Sequence, residues 1–116
     1  MTGPEDSRAA LAAAQERALA RLAALERDFD GIVAAARDAS TDDEHDPEGA
    51  TLAFERQHVA ALAGVARQDL AEIQAALARL ADGSYGTCQA CGRPIGAGRL
   101  AARPAARTCV GCARRR

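Results

Sequence analysis

Apolar residues in the first third of the chain recur at Leu11, Ala14, Ala18, Leu22, Leu25, Phe29, Ile32 and Ala36, with successive gaps of 3, 4, 4, 3, 4, 3 and 4. Such spacing is a heptad-like seam and predicts one helix from about residue 5 to residue 39. Pro4 sits just ahead, and Glu5 and Asp6 fall in the first turn, where negative charge favours the amino end of the helix dipole. Gly31 is the weak point, at a cost of about 1 kcal/mol against alanine. A second seam runs through Leu52, Val59, Leu62, Ala66, Leu70, Ile73, Leu77 and Leu80, with Glu55 in its one long gap. Gly83 is placed to cap that helix. Residues 40–49 are turn formers with a proline and a glycine, so the chain is expected to reverse there. Two helices of about 35 residues give an antiparallel hairpin on the order of 50 Å long. Its polar loop becomes the tip, and Phe29 and Phe54, which flank the turn from opposite helices, are expected to pack near it.

Composition sharpens this picture. The 116 residues include 31 alanines, only 3% aromatics and no tryptophan, which favours long helices over a bulky globular core. No run of about 18 apolar residues exists to cross a bilayer. The first eight residues carry Glu5, Asp6 and Arg8 and lead into no apolar stretch of the secretory kind, so a cytoplasmic protein is expected. The net charge of -1 hides an asymmetry: residues 1–83 hold 16 acids and 8 arginines, while residues 84–116 hold 7 arginines and no acid, or -8 against +7. All four cysteines also lie beyond Gly83, which divides the chain into a helical hairpin over 1–83 and a small module over 84–116.

The tip stands out by density, since Asp42, Asp43, Glu44, Asp46 and Glu48 put five carboxylates within seven residues. Acids in a turn are often no more than solvated. Here their mutual repulsion exceeds what turning requires, because asparagine, serine or glycine would turn as well. The alanine-rich seam favours close helix approach and a thin rod, a shape suited to a narrow space.

The last third reads as a metal site. Cys88-x2-Cys91 is followed, after seventeen intervening residues, by Cys109-x2-Cys112, the spacing of a four-cysteine zinc module. Each pair can present two thiolates from a tight turn, with Gly92 and Gly111 giving backbone freedom beside the sulfurs. Four thiolates close the coordination shell, so a single structural zinc ion is expected, replacing a core that so short a segment cannot build. An iron centre of the rubredoxin type and a redox-active dithiol pair are the competing readings. Disulfides are disfavoured in the cytoplasm. Neither His45 nor His58 is needed as a ligand. Tyr85 is expected to pack where hairpin and finger join. An enzyme is not expected: the metal shell is closed, no catalytic set has interpretable spacing, and the exposed tip offers no pocket to tune a carboxylate. The expected class is therefore mainly α, a long antiparallel two-helix coiled-coil hairpin with a small C-terminal four-cysteine zinc finger.

The run Gly83-Ser84-Tyr85-Gly86-Thr87-Cys88, followed by Cys91-Gly92, Pro94-Ile95-Gly96, Arg99-Leu100, Ala102-Arg103-Pro104, Cys109 and Cys112, resembles the zinc-finger signature of the DksA/TraR family. Asp46-Pro47-Glu48-Gly49-Ala50-Thr51 and Glu55 look like that family's tip and second helix. The resemblance implies a transcription regulator that binds RNA polymerase directly, inserting its hairpin through the secondary channel so that tip acids approach the catalytic centre, without sequence-specific DNA contact. The family's tip pattern is Asp-x-x-Asp-x-Ala. One alignment uses Asp43 and Asp46 but meets Glu48 where alanine belongs, and the other uses Asp46 and Ala50 but loses one residue and the second aspartate. Asp43 and Asp46, supported by Asp42 and Glu44, are the polymerase-directed candidates, and Arg99 and Arg103 are the candidates for basic docking. Some members bind the alarmone ppGpp through basic residues that include lysines. Arg103 matches one such position, but this chain has no lysine, and ppGpp dependence is not expected. Contacts that longer members make through a helix beyond the last cysteine are expected to be absent.

An alternative from another class is a nucleic-acid-binding finger, with Arg93, Arg99, Arg103, Arg107 and the terminal arginines on phosphates and the hairpin as a dimerising element. It is weakened by Tyr85 being the one aromatic residue of the finger and by the -8 charge of the hairpin, which would repel a nearby nucleic-acid backbone. A purely structural, self-associating coiled coil would give a concentration-dependent dimer. The expected state is a monomer.

Overall fold

The computed structural model describes residues 3–39 and 47–115. It contains helices α1 (Pro4–Ala39), α2 (Pro47–Asp82), α3 (Ala97–Ala102) and α4 (Val110–Ala113). Among the described residues there is no strand, only an antiparallel bridge between Thr87 and Pro94, and no helix is long and apolar enough to cross a membrane.

Both long helices open on proline, at the position where a missing N–H costs nothing and a fixed φ helps. At the start of α1 the Gly3 N–H donates to Asp6 Oδ2 at 3.3 Å, the reach-back of an acid three residues past the cap. The second opening corrects the reading of the turn. Residues 47–49, assigned to it from sequence, belong to α2, because proline and glycine break a helix interior but are tolerated in its first turn.

Every position of both seams is buried or half-buried, whereas Gly31 and Glu55 are exposed. Helix α2 ends at Gly83, whose φ of 86° is the left-handed conformation that a side chain would oppose. There the N–H groups of Ser84 and Tyr85 both donate to the Arg79 carbonyl, at 3.0 and 3.2 Å. The Asp82 carboxylate accepts from the Ser84 hydroxyl at 2.5 Å and the Ser84 N–H at 2.9 Å. These two bonds, hydroxyl first, hold the Asp82 carboxyl below its usual value, with the Arg79 charge adding to them.

The chain divides into two compact units, Ala18–Asp69 and Met1–Arg17 with Leu70–Arg116. In the first, Leu25 of α1 is buried with Ala63 and Ala66 of α2, and Leu22, Val59 and Leu62 pack against them. Leu25 lies fourteen residues before the end of α1 and Ala63 sixteen after the start of α2, and the seven residues between the helices are too few to carry the chain back for a parallel pairing, so the helices run antiparallel. The Glu26–Arg67 ion pair, 3.4 Å long, marks the same register, but with both side chains more than half exposed it adds little stability. Phe54 is 73% exposed and does not pack near the turn as expected, while Phe29 is half-buried. The physical reason is angular: at 3.6 residues per turn Phe54 points away from the side that Val59, Leu62, Ala63 and Ala66 turn towards α1.

In the second unit Leu11 is fully buried, and Ile73, Ala76 and Arg79 are buried on α2. Pro4 and Ser7 of α1, Leu80 of α2 and Tyr85, Pro94 and Leu100 of the last third line one shared groove. The two helix ends and the cysteine-bearing segment therefore form a single packed body.

Two glycines give opposite expectations for stability. A Cβ at Gly64 would meet nothing within 4 Å and its backbone is helical, so Gly64→Ala should raise stability by about 0.5–1 kcal/mol in urea unfolding. Gly83→Ala should lower it by roughly 1 kcal/mol through its positive φ alone. For Asp82, a folded pKa below the unfolded value of 3.8 means that its cap contributes above that value and is lost as the pH falls through the folded one. Wild type should therefore lose stability relative to Asp82→Asn as the pH falls from above 3.8 through the lower folded value, read as a shift of urea midpoints.

Candidate metal centre

The first cysteine pair sits in a closed hairpin. Ile95 N–H donates to the Gly86 carbonyl at 2.8 Å, Cys88 N–H to Arg93 at 2.8 Å, and Gly92 N–H back to Cys88 at 2.9 Å. Gly92 completes that turn with a φ of 77°, so its expected role beside the sulfur holds. The second pair is built differently: Cys109 caps α4, the Ala113 N–H donates to its carbonyl at 3.0 Å, and Gly111 lies inside the helix. Gly111 thus needs no unusual φ, contrary to the sequence reading. It adopts the ordinary helical conformation because the turn here is the start of a helix. Gln89 N–H bonded to the Arg107 carbonyl at 2.9 Å ties one half of the site to the other.

These elements bring the four sulfurs within 4.8 Å of one another, with Cys91 Sγ and Cys109 Sγ 3.9 Å apart. All four cysteines are free. A zinc–sulfur bond of about 2.3 Å in a tetrahedral shell puts the sulfurs about 3.8 Å apart, so the set is spaced for one ion. Cys88 is buried over Ile95 and Ala106, with Leu100 packed beside them, while Cys91 faces solvent.

The electrostatics lead to the same ion. The Cys88 thiol is pulled down to about 6, chiefly by the Cys109 backbone N–H, with those of Cys91 and Ala90 assisting. Cys109 is lowered, above all by the Cys112 N–H. Cys112 is pushed up to about 12, first by its contact with Cys109 and then by Cys88 and Cys91. Four sulfurs this close cannot all ionise without a cation among them, and a closed set of four soft donors suits zinc rather than a hard, oxygen-seeking ion. The cofactor is therefore one structural zinc ion, and its binding displaces thiol protons.

The other expected residues are distributed as follows. Tyr85 lies in the groove shared with α1 and α2, and its hydroxyl donates to the Pro104 carbonyl at 2.7 Å. The Arg99 Nε donates to the Thr108 carbonyl at 2.7 Å, steadying the residue before Cys109, whereas Arg103 is exposed. Asp42, Asp43, Glu44 and Asp46 lie outside the described residues. Sequence reasoning missed Arg79, which is 8% exposed, with a buried Nη2 that has no hydrogen-bond partner among the described residues. A charged residue off the seam in the last helical turn reads as solvated, and only its favourable place near the negative end of the helix dipole could have drawn notice.

Comparison with known proteins adds to this geometry. The prokaryotic dksA/traR C4-type zinc finger family matches residues 83–116. The RNA polymerase-binding transcription factor DksA of Caulobacter vibrioides, from strains NA1000 / CB15N and ATCC 19089 / CIP 103742 / CB 15, is 52% identical over 40 residues, 34% of this chain. That match covers 28% of the length of these relatives. The structure of transcription factor DksA2 from Pseudomonas aeruginosa superposes with a TM-score of 0.56 at 31% identity, covering 92% of this chain and 82% of that one.

Excess chelator should release the ion and abolish the near-ultraviolet signal of Tyr85 while far-ultraviolet helicity falls only slightly. Cys88→Ser, at the buried ligand position, should do the same without chelator. Unchanged tyrosine signal on metal removal would contradict a structural ion.

Proposed function

This chain belongs to the DksA/TraR family of transcription factors, which are not enzymes, and from that premise we propose that it binds RNA polymerase directly, enters by the secondary channel and modulates initiation through acids at its hairpin tip. The observation that carries the reading is the joining of an antiparallel helix pair to a four-sulfur centre in one chain, alike to DksA2 over 92% of its length. On this reading residues 1–83 are the inserted element and residues 84–116 the zinc-held base. A metal-dependent polymerase centre is sensitive to carboxylates brought close in a confined, poorly screened space. Asp43 and Asp46 are the acids proposed to act there, with Asp42 and Glu44 reinforcing the local field. Arg103, exposed on the finger, is the freer of the two basic docking candidates, since Arg99 also serves the loop before Cys109. The protein works in the cytoplasm as a monomer, makes no sequence-specific DNA contact and does not require ppGpp.

The test is co-purification with core RNA polymerase, followed by transcription in vitro. Asp43→Asn and Asp46→Asn should keep polymerase affinity within about twofold and lose regulation. Regulation unchanged in both variants would reject the tip mechanism. Titration of duplex DNA with salt should show only weak, nonspecific association, where a phosphate-binding finger would give a steep salt slope.

A further inference from the structure

The outward face of α2 in the unit Ala18–Asp69 does not look like a solvated helix face. From Gln57 to Ala66 no residue is charged, in a chain where charged residues make up 27%. At 3.6 residues per turn Phe54, His58, Ala61 and Val65 fall within an arc of about 60° along about 17 Å of helix. All four are exposed, Phe54 by 73% and Val65 by 58%. Helix α1 in the same unit exposes Arg21, Arg27, Asp28 and Asp30, so charge is available to this fold and is missing from one side.

We propose that this uncharged face, anchored by Phe54 and Val65, seats on the wall of RNA polymerase; the inference rests on the reading of polymerase as the partner. Two arguments select that occupant. The strip is about 17 Å long and about 10 Å wide, on the order of 200 Å², well short of the roughly 800 Å² per partner that a stable complex buries. A second copy docked on this face alone would not hold, so the occupant must engage other parts of the chain as well, as an enclosing partner does. Its chemistry is also restricted. A face without arginine suits a neutral, apolar protein surface and cannot neutralise phosphates. Phe54 then acts as the buried aromatic that anchors such a contact, which explains its placement away from the interhelical seam.

The experiment uses the full zinc-loaded chain and core RNA polymerase. Phe54→Ala with Val65→Ala removes exposed side chains and leaves helix formers, so circular dichroism should not change while polymerase affinity falls about tenfold or more. A benzoylphenylalanine in place of Phe54 should crosslink to a polymerase subunit. Wild-type affinity in the double variant, with wild type itself binding, would overturn the docking face and leave the polymerase reading standing. No binding by wild type would overturn both. A concentration-dependent dimer that Phe54→Ala dissolves would overturn the proposal in favour of a second copy.

Discussion

Four sulfur atoms within 4.8 Å of one another are a state the chain cannot hold fully ionised unless a cation sits among them. That constraint governs the last third of the molecule. Beneath the cysteines lies a small apolar cluster of Ile95 and Ala106 with Leu100 beside it. Two four- and six-residue helices and one isolated bridge supply no ladder of regular hydrogen bonds to compensate. At such a size hydrophobic burial offsets little of the chain entropy lost on folding, so metal binding supplies folding free energy directly. The backbone N–H groups that lower Cys88 and Cys109 show the polypeptide already arranged for thiolates. The high value of Cys112 marks the charge that the ion must neutralise.

How that module joins α2 follows from a few atoms. One carbonyl, that of Arg79, receives the N–H groups of both Ser84 and Tyr85, and the left-handed Gly83 between helix and finger makes the geometry reachable. Asp82 fastens Ser84 from the other side. Tyr85 leaves this stop in a fixed direction, and its hydroxyl closes on Pro104. The end of the helix therefore sets where the first cysteine turn begins. The buried Arg79 chain belongs to the same corner, its aliphatic stem suited to covering apolar surface in a segment short of large side chains.

Legibility in the sequence follows physical range. The seams were readable because a helix buries a stripe at fixed spacing, and each position read from periodicity is withdrawn from solvent. The cysteine set was readable because spacing within each pair is a local property of a turn. Gly83 was readable because few residues tolerate a positive φ at a helix end. What escaped depends on choices that periodicity does not encode. Pro47 looked like part of a turn because the same residue that breaks a helix also begins one. Gly111 looked like a flexible joint because glycine beside a cysteine has that meaning in the first turn and not in the second, where a helix starts. Phe54 was assigned to packing by its chemistry, although its angle on the wheel faces solvent. Arg79 went unnoticed because it lies off the apolar seam, although it is buried.

These departures bear on the kind of partner the chain can take. Charge is segregated along the sequence, with -8 before the finger and +7 within it, and thinned again along α2, whose exposed residues between Gln57 and Ala66 carry none. A nucleic acid presents one sign everywhere and would be repelled by the hairpin while attracting the finger. A small ligand would call on a few convergent groups in one pocket, not on surfaces spread over successive turns of a helix. A large protein with walls of differing character can meet all of them at once: basic on acidic, neutral on neutral, and carboxylates towards a metal-bearing centre. In the proposed complex, specificity then comes from the combination, and no single contact has to be strong.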